Sequence, residues 1–410
     1  MLSEKQIQVL KWPYQGKRAL ICDGAVRSGK TSVMSLSFLL WAMGAFQGQN
    51  FALCGKTVGS AQRNIIRPLL ATAYLRQHFN LSYSRAEHIL TVSRGGRSNR
   101  FYVFGGRDES SYTLIQGATL AGVLLDEAAL MPRSFVEQAL ARCSVEGAKL
   151  WFNCNPDVPE HWFRKEWLLK LEEKNASHLH FTMDDNPSLS PETRAMYESL
   201  YTGVFYRRYV LGQWTAGDGL IYDMFDEKIH CYDDVDRPKG LPYVASRTVA
   251  CDYGTANPCV FLDIYDDGET VWVDNEYRWD SRERRQQKTD GDYGEDLQQF
   301  MGKQFPCPVV VDPSAASFIA ELGRRGVYTI AGDNNVSDGI RRVSSLLGRR
   351  AIRIHRRCQG LIGELQSYVW DEKAAQAGIE RPVKQLDHGP DALRYYVNTC
   401  LPKWRHGEEG

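Results

Sequence analysis

Two sets of residues in this chain have the types and spacing to do phosphate chemistry. The first is Gly24, Gly29, Lys30 and Thr31, which satisfy G-x-x-x-x-G-K-[ST] within RALICDGAVRSGKTSVMSLSFLLWAM. Glycines there let backbone N–H groups wrap phosphate oxygens, and the start of the following helix favours their charge. Lys30 reaches the β/γ oxygens and Thr31 ligates Mg2+. Such a P-loop calls for a second acidic strand end, and AGVLLDEAALMP supplies it. Val123, Leu124 and Leu125 read as a buried strand; Asp126 would then hold Mg2+ through water and Glu127 would polarise the attacking water. The plain alternative for this pair is an acidic helix start, which loses weight beside a complete P-loop pattern. Arg27, inside the loop, and Arg142, downstream, each have the chemistry of an arginine finger; for Arg142 a surface ion pair is preferred. Asn153 and Asn155 suit γ-phosphate sensing and turn capping equally.

The second set is made of acids. Asp252 closes one apolar run and Asp312 another, and QLDHGPDALRYYV (385–397) brings Asp387, His388 and Asp391 to a helix start marked by Pro390. Asp387 is a natural N-cap, its carboxylate accepting from a free backbone N–H. His388 and Asp391 stand three apart, on one helix face. For Asp312 a cap or turn role weighs as much as a ligand role, whereas Asp252, followed by Tyr-Gly, has no helix to cap. Three carboxylates meeting at one sheet edge repel unless cations occupy the gap. Two Mg2+ or Mn2+ ions held by Asp252, Asp312 and Asp391 would meet that need and activate water against a phosphodiester. His388 would ligate a metal or move a proton, the alternative being a solvated first-turn histidine.

These residues require a framework of two domains, for which 410 residues suffice. The runs 51–57, 100–106 and 148–156, with helical stretches between, predict an α/β P-loop domain with a mostly parallel sheet over residues 1–215. Residues 216–240, rich in Gly, Asp and Pro, read as a linker. From 241 to 410 a second domain opens with three β-rich runs (247–254, 259–268 and 270–277) joined by short turns, hence antiparallel, and then alternates helix and strand.

The totals exclude several classes. Lys plus Arg and Asp plus Glu are 50 each, so no global field draws the chain to a polyanion. The start MLSEKQIQVLKWPY has no apolar targeting core and no run is long enough to span a bilayer, so no membrane role is expected. Ten cysteines form no C-x-x-C pair; they read as buried thiols of a reducing compartment and not as zinc ligands. GIRRVSSLLGRRAIRIHRR (339–357) suits a DNA-phosphate surface and a solvated helix face equally. FYRRYV (205–210) reads as packing plus ion pairs.

A P-loop ATPase followed by a three-acid centre resembles the large terminase subunit of tailed bacteriophages and their prophages, over nearly the whole chain. GAVRSGKTS, with Arg27 and Ser28 before the Gly-Lys, is similar to that family's Walker A, LLDEA to its Walker B with catalytic glutamate, and FNCNP, with Asn155, to its coupling motif. VLGQW resembles the Gly-x-Trp element closing the ATPase half; CDYG, VVDPS and DHGPDALRY resemble the nuclease signature. The resemblance implies an RNase H-like fold for 241–410. It implies ATP and Mg2+ in the first site, with Gly24, Arg27, Ser28, Gly29, Lys30, Thr31, Asp126 and Asn155 around them. One departure is the family's adenine-contacting glutamine, which has no clear place here: Gln6 and Gln15 both lie upstream of the P-loop, with Gln6 slightly preferred. The resemblance also implies catalytic roles for Glu127, Asp252, Asp312, Asp391 and His388.

Its expected partners are double-stranded DNA, a small terminase subunit and the procapsid portal. The chain would form a homo-oligomeric ring when docked there in the host cytoplasm, and a monomer when free. A helicase or repair translocase with an accessory nuclease shares both sites but predicts a second P-loop-type domain. A portal-docking protein with decayed sites is opposed by the intact Lys30, Thr31, Asp126, Glu127, Asp252, Asp312 and Asp391.

Overall fold

The computed structural model describes residues 2–254, 257–302 and 307–402. It forms two compact units. The first holds the described residues up to Arg194, with Tyr206–Ala216 and Gln376–Ile379; the second holds Ala195–Phe205, Gly217–Ala375 and the described residues from Glu380 onward.

The first unit is built on eight strands: β1 (Ala19–Gly24), β2 (Asn50–Gly55), β3 (Asn80–Ser84), β4 (Ile89–Arg94), β5 (Arg97–Gly105), β6 (Gly122–Asp126), β7 (Lys149–Asn153) and β8 (Ala176–Phe181). Their order is β3-β4-β5-β2-β6-β7-β1-β8. All pairings are parallel except β3–β4 and β4–β5, which make an antiparallel edge. The interior strands are continuous apolar runs because both sheet faces are covered. On one face the helix Lys30–Ala45 is buried along most of its length. Its Phe38 and Trp41, with Trp12, surround Trp151 of β7 at ring-centroid distances of 4.8–4.9 Å. The other face packs Phe135, Phe152, Phe163 and Trp167. This packing fixes the C-terminal ends of β1, β6 and β7, where open α/β sheets place ligands.

The second unit is a mixed sheet of β9 (Cys231–Tyr232), β10 (Ser246–Asp252), β11 (Cys259–Asp266), β12 (Val271–Trp279), β13 (Val309–Val311), β14 (Thr329–Ala331) and β15 (Ile352–His355), in the order β14-β13-β10-β11-β12-β15-β9. As expected, β10, β11 and β12 form an antiparallel meander; the outer strands add in parallel. The helix His388–Cys400 is buried almost throughout and packs against this sheet. Chain order and sheet type are those of a P-loop domain followed by an RNase H-like domain.

The stretch 216–240, expected as a linker, carries structure of its own. Strand β9 pairs with β15, and Leu220 bridges to Val369. A two-residue strand within Gly-, Asp- and Pro-rich sequence has no periodicity to betray it. All ten cysteines are free and nine are buried. No described helix is long and apolar enough to cross a membrane.

Candidate functional site

The loop between β1 and the helix Lys30–Ala45 is shaped by close approach. Gly24 has φ +125°, and a Cβ there would lie 1.9 Å from the Phe181 carbonyl oxygen. The backbone N–H groups of Ala25 and Val26 donate to Phe181 O and Tyr209 O, both at 2.8 Å. Arg27 is held at φ 55°, a left-handed conformation costly for a residue with a Cβ, and its carbonyl accepts from Asn186 Nδ2 at 2.7 Å. Gly29 enters the helix at φ 82° and no side chain caps its first turn, so this terminus suits an anion. The buried Lys30 ammonium donates to Gly24 O (3.1 Å), Ala25 O (2.6 Å), Ser28 Oγ (3.1 Å) and Asn155 Oδ1 (3.2 Å). Burial pushes its pKa down to about 8, against the nearby acids Asp23 and Asp126.

Asp126 ends β6 and is buried. Thr31 Oγ1 donates to it at 3.1 Å, Asn64 Nδ2 at 3.1 Å, and Asn153 Nδ2 also donates. Burial raises this carboxyl above its ordinary range although all three donors oppose the shift. Glu127 follows at φ 62°, again left-handed, so the chain turns sharply where the second acid stands. Gln6 is buried in a capping box with Ser3, and a Cβ on Gly29 would come within 2.8 Å of its Nε2. The predicted residues of this half therefore gather around one loop. Arg142 instead closes the helix Arg133–Ala141, donating its backbone N–H to Gln138 O at 3.2 Å. Asn64 was not expected; it stands on a π-helical turn, Gln62–Ile66, which carries no sequence signature.

In the second unit Asp252 ends β10, Asp312 follows β13, and His388 and Asp391 open the helix His388–Cys400. His388 Nδ1 lies 2.8 Å from Asp252 Oδ2. Burial raises the Asp252 carboxyl to about 6, His388 opposes the shift, and the nearby Asp391 and Asp387 carboxylates add to it. Burial works against the His388 imidazolium, but the bond to Asp252 together with the charges of Asp252, Asp387 and Glu364 outweighs it and raises the pKa. Asp312 takes the turn role that its sequence offered, and its second oxygen is engaged as well. One oxygen accepts from Ser314 N–H at 2.8 Å, a turn; the other accepts from Tyr395 Oη at 2.7 Å on the same late helix. Asp391 lies 3.2 Å from Arg394 and 3.5 Å from Lys384. Asp252 is raised by burial and by the Asp391 and Asp387 carboxylates, whereas at Asp312 burial is outweighed by the Ser314 and Tyr395 bonds and the Arg394 charge, and the carboxyl is lowered. Carboxylate oxygens at these strand and helix ends are the donor type a hard divalent cation takes, so these residues fit Mg2+ or Mn2+. Among the described residues, however, the group of three whose ligand atoms all lie within 4.8 Å of one another is Asp23, His178 and His180, not these acids.

One expectation is corrected. Asp387 occupies the N-cap position, but its side chain makes no capping hydrogen bond. The first turn is capped from elsewhere: the buried Glu364 carboxylate accepts from Gly389 N–H at 2.7 Å and pairs with both Arg278 Nη atoms at 2.7 and 2.8 Å. A distant carboxylate fills the role, which leaves Asp387 beside His388 and Lys384. The basic stretch 339–357 is divided as well. Arg342 is buried on Asn398, while Arg341, Arg356 and Arg357 pair with Asp338, Glu227 and Asp234. In FYRRYV, Arg208 is buried and pairs with Asp157 at 3.4 Å, as packing plus an ion pair predicts.

Comparison with known proteins agrees with both halves. A family model described as the large terminase subunit, T4likevirus-type, N-terminal, matches residues 21–229. The large terminase of a thermophilic bacteriophage is 49% identical, with a TM-score of 0.91 over 97% of this chain and 98% of that one. The complex of that terminase with ATP-γ-S aligns at 48% identity and a TM-score of 0.88, over 98% and 99% of the two chains. The large terminase subunit of Escherichia phage T5 is 23% identical over 251 residues, 58% of this chain and 55% of that protein. The chain thus spans about half the length of that curated relative.

Proposed function

This chain belongs to the large terminase subunit family, and we propose that it is a DNA-packaging motor subunit. In this reading it couples ATP hydrolysis to the movement of double-stranded DNA into a procapsid and cuts concatemeric DNA with its second site. The observation that carries the reading is the presence, in one chain, of a complete P-loop constellation and a separate group of acids at the ends of β10 and β13 and the start of the late helix. The thermophilic bacteriophage relative, in complex with ADP and with ATP-γ-S, supports nucleotide binding at the loop.

In the first site Lys30 exchanges its loop oxygens for β/γ-phosphate oxygens, and the uncapped helix start takes phosphate charge. Thr31 and Asp126 hold Mg2+, while Asn64 and Asn153 keep the Asp126 carboxylate aimed. Glu127 polarises the attacking water, Asn155 reports phosphate occupancy through its bond to Lys30, and Gln6 stands at the adenine end. Arg27 serves as the charge-stabilising arginine. In the second site Asp252, Asp312 and Asp391 hold two Mg2+ or Mn2+ ions, which when bound supply an activated water and stabilise the leaving oxygen. His388 holds a proton next to Asp252, and Tyr395 orients Asp312. The first compact unit is the ATPase part, and the second, which takes in β9 of the stretch 216–240, is the nuclease part. The working partners are double-stranded DNA, a small terminase subunit and the portal, where copies form a ring in the host cytoplasm.

The test incubates the full chain with supercoiled plasmid in Mn2+, Mg2+ or EDTA, wild type beside Asp391→Ala, with ATP hydrolysis measured in parallel. Metal-dependent cutting lost in the variant, with ATP turnover kept, is the expected result. Cutting that persists in Asp391→Ala rejects the acid cluster, and loss of both activities together rejects two separate sites.

A further inference from the structure

The end of β1 carries a second constellation that the ATPase and nuclease roles do not use. His178 and His180 stand two apart on β8, hence on the same face of the sheet, and Asp23 of β1 is the register partner of His180. His178 Nε2 lies 2.7 Å and His180 Nδ1 2.9 Å from the same oxygen, Asp23 Oδ1. The other oxygen of Asp23 accepts from Trp214 Nε1 at 2.7 Å. Asp23 is buried, while the histidine side chains are 30% and 41% exposed, which leaves an approach from solvent. Burial alone would raise the Asp23 carboxyl, but the bonds from His178, His180 and Trp214 outweigh it and hold the group ionised.

We propose that Asp23, His178 and His180 form a binding site for a transition-metal cation of the Zn2+ class, with water in the fourth position. Two imidazoles and one carboxylate select Zn2+ over the hard Mg2+. Bonds of about 2.1 Å in a tetrahedral site put ligand atoms about 3.4 Å apart, so the His178 and His180 nitrogens move out from Asp23 Oδ1 by roughly 0.7 and 0.5 Å. The two strands hold the ligands in register, and Trp214 orients the carboxylate as outer partners of metal ligands do. Gly212 makes room for this: at φ +70° a Cβ there would lie 2.9 Å from Ala25 N and 3.0 Å from His180 Cε1. The bound ion would tie the ends of β1 and β8 together at the entry to the phosphate loop.

The experiment titrates Zn2+ into the full chain by calorimetry with saturating Mg2+ present, and counts metal after desalting. Co2+ is then substituted to read coordination from its visible spectrum. One equivalent of Zn2+ and the intense band of four-coordinate Co2+ are expected. Both should be lost in the His178→Ala/His180→Ala double variant and kept in Asp252→Asn, while Trp214→Phe weakens binding about 10-fold. No Zn2+ on the folded wild type, or equal binding by a folded double variant, overturns the site. If the double variant does not fold, the wild-type Co2+ spectrum decides, and a six-coordinate, oxygen-only spectrum overturns it.

Discussion

Asp126 and Asp252 each end a strand inside a sheet, and burial raises both carboxyls, yet their surroundings differ in kind. Asp126 is hydrogen-bonded by neutral donors, one hydroxyl and two amides, with the Lys30 ammonium acting on it from nearby. Asp252 meets a titratable imidazole and feels two further carboxylates. Neutral donors fix an acid in place without cancelling its charge, which suits one cation arriving with a nucleotide. Clustered acids keep repulsion that His388, Arg394 and Lys384 offset in part, leaving Asp252 raised, which suits a centre whose cations are part of the site. One kind of residue at one kind of strand end thus serves two chemistries, decided by what surrounds it.

The sharpest way to break this contrast is reciprocal. Lys30→Ala is expected to lower ATP turnover, and Asp252→Ala to lower plasmid cutting, each on the order of 10³-fold. The activity not targeted should stay within about twofold; equal loss of both activities in either variant would dissolve the distinction. Next in size, Arg278→Met leaves the Glu276 and helix-capping Glu364 carboxylates, both 5% exposed, without the cation they share. A loss of about 3–5 kcal/mol is expected, read as a fall in the thermal midpoint. An unchanged midpoint would mean the Glu364 cap does not hold the late helix.

A smaller effect tests the neutral donors themselves. Asn64→Ala and Asn153→Ala should each raise the Mg2+ concentration needed for half-maximal ATP hydrolysis by about 10- to 100-fold, with cutting unaffected. His388→Gln is the mildest. It keeps a polar group beside Asp252 and should weaken the Mn2+ dependence of cutting by about 10-fold; a larger loss would promote His388 from support to direct participation.

What the sequence determined by itself is what short spacing encodes. Gly24 to Thr31 form their loop because strand, turn and helix are contiguous, and Asp126 with Glu127 is legible because an apolar run ends on them. The meander β10–β12 reads from alternation and short turns, and Asp252, Asp312, His388 and Asp391 stand out as acids or imidazole at element ends. Only the tertiary structure decided which side chain does what across long separations. It supplied Asn64 to Asp126, gave the cap of the late helix to Glu364 and not to Asp387, and used Tyr395 to hold Asp312. It also found a partner for the two-residue strand β9 in β15, and drew Asp23, His178, His180 and Trp214 into one cluster. Contacts of this kind depend on which elements pack together, and packing is set by the burial of whole faces. No local pattern of residues records them.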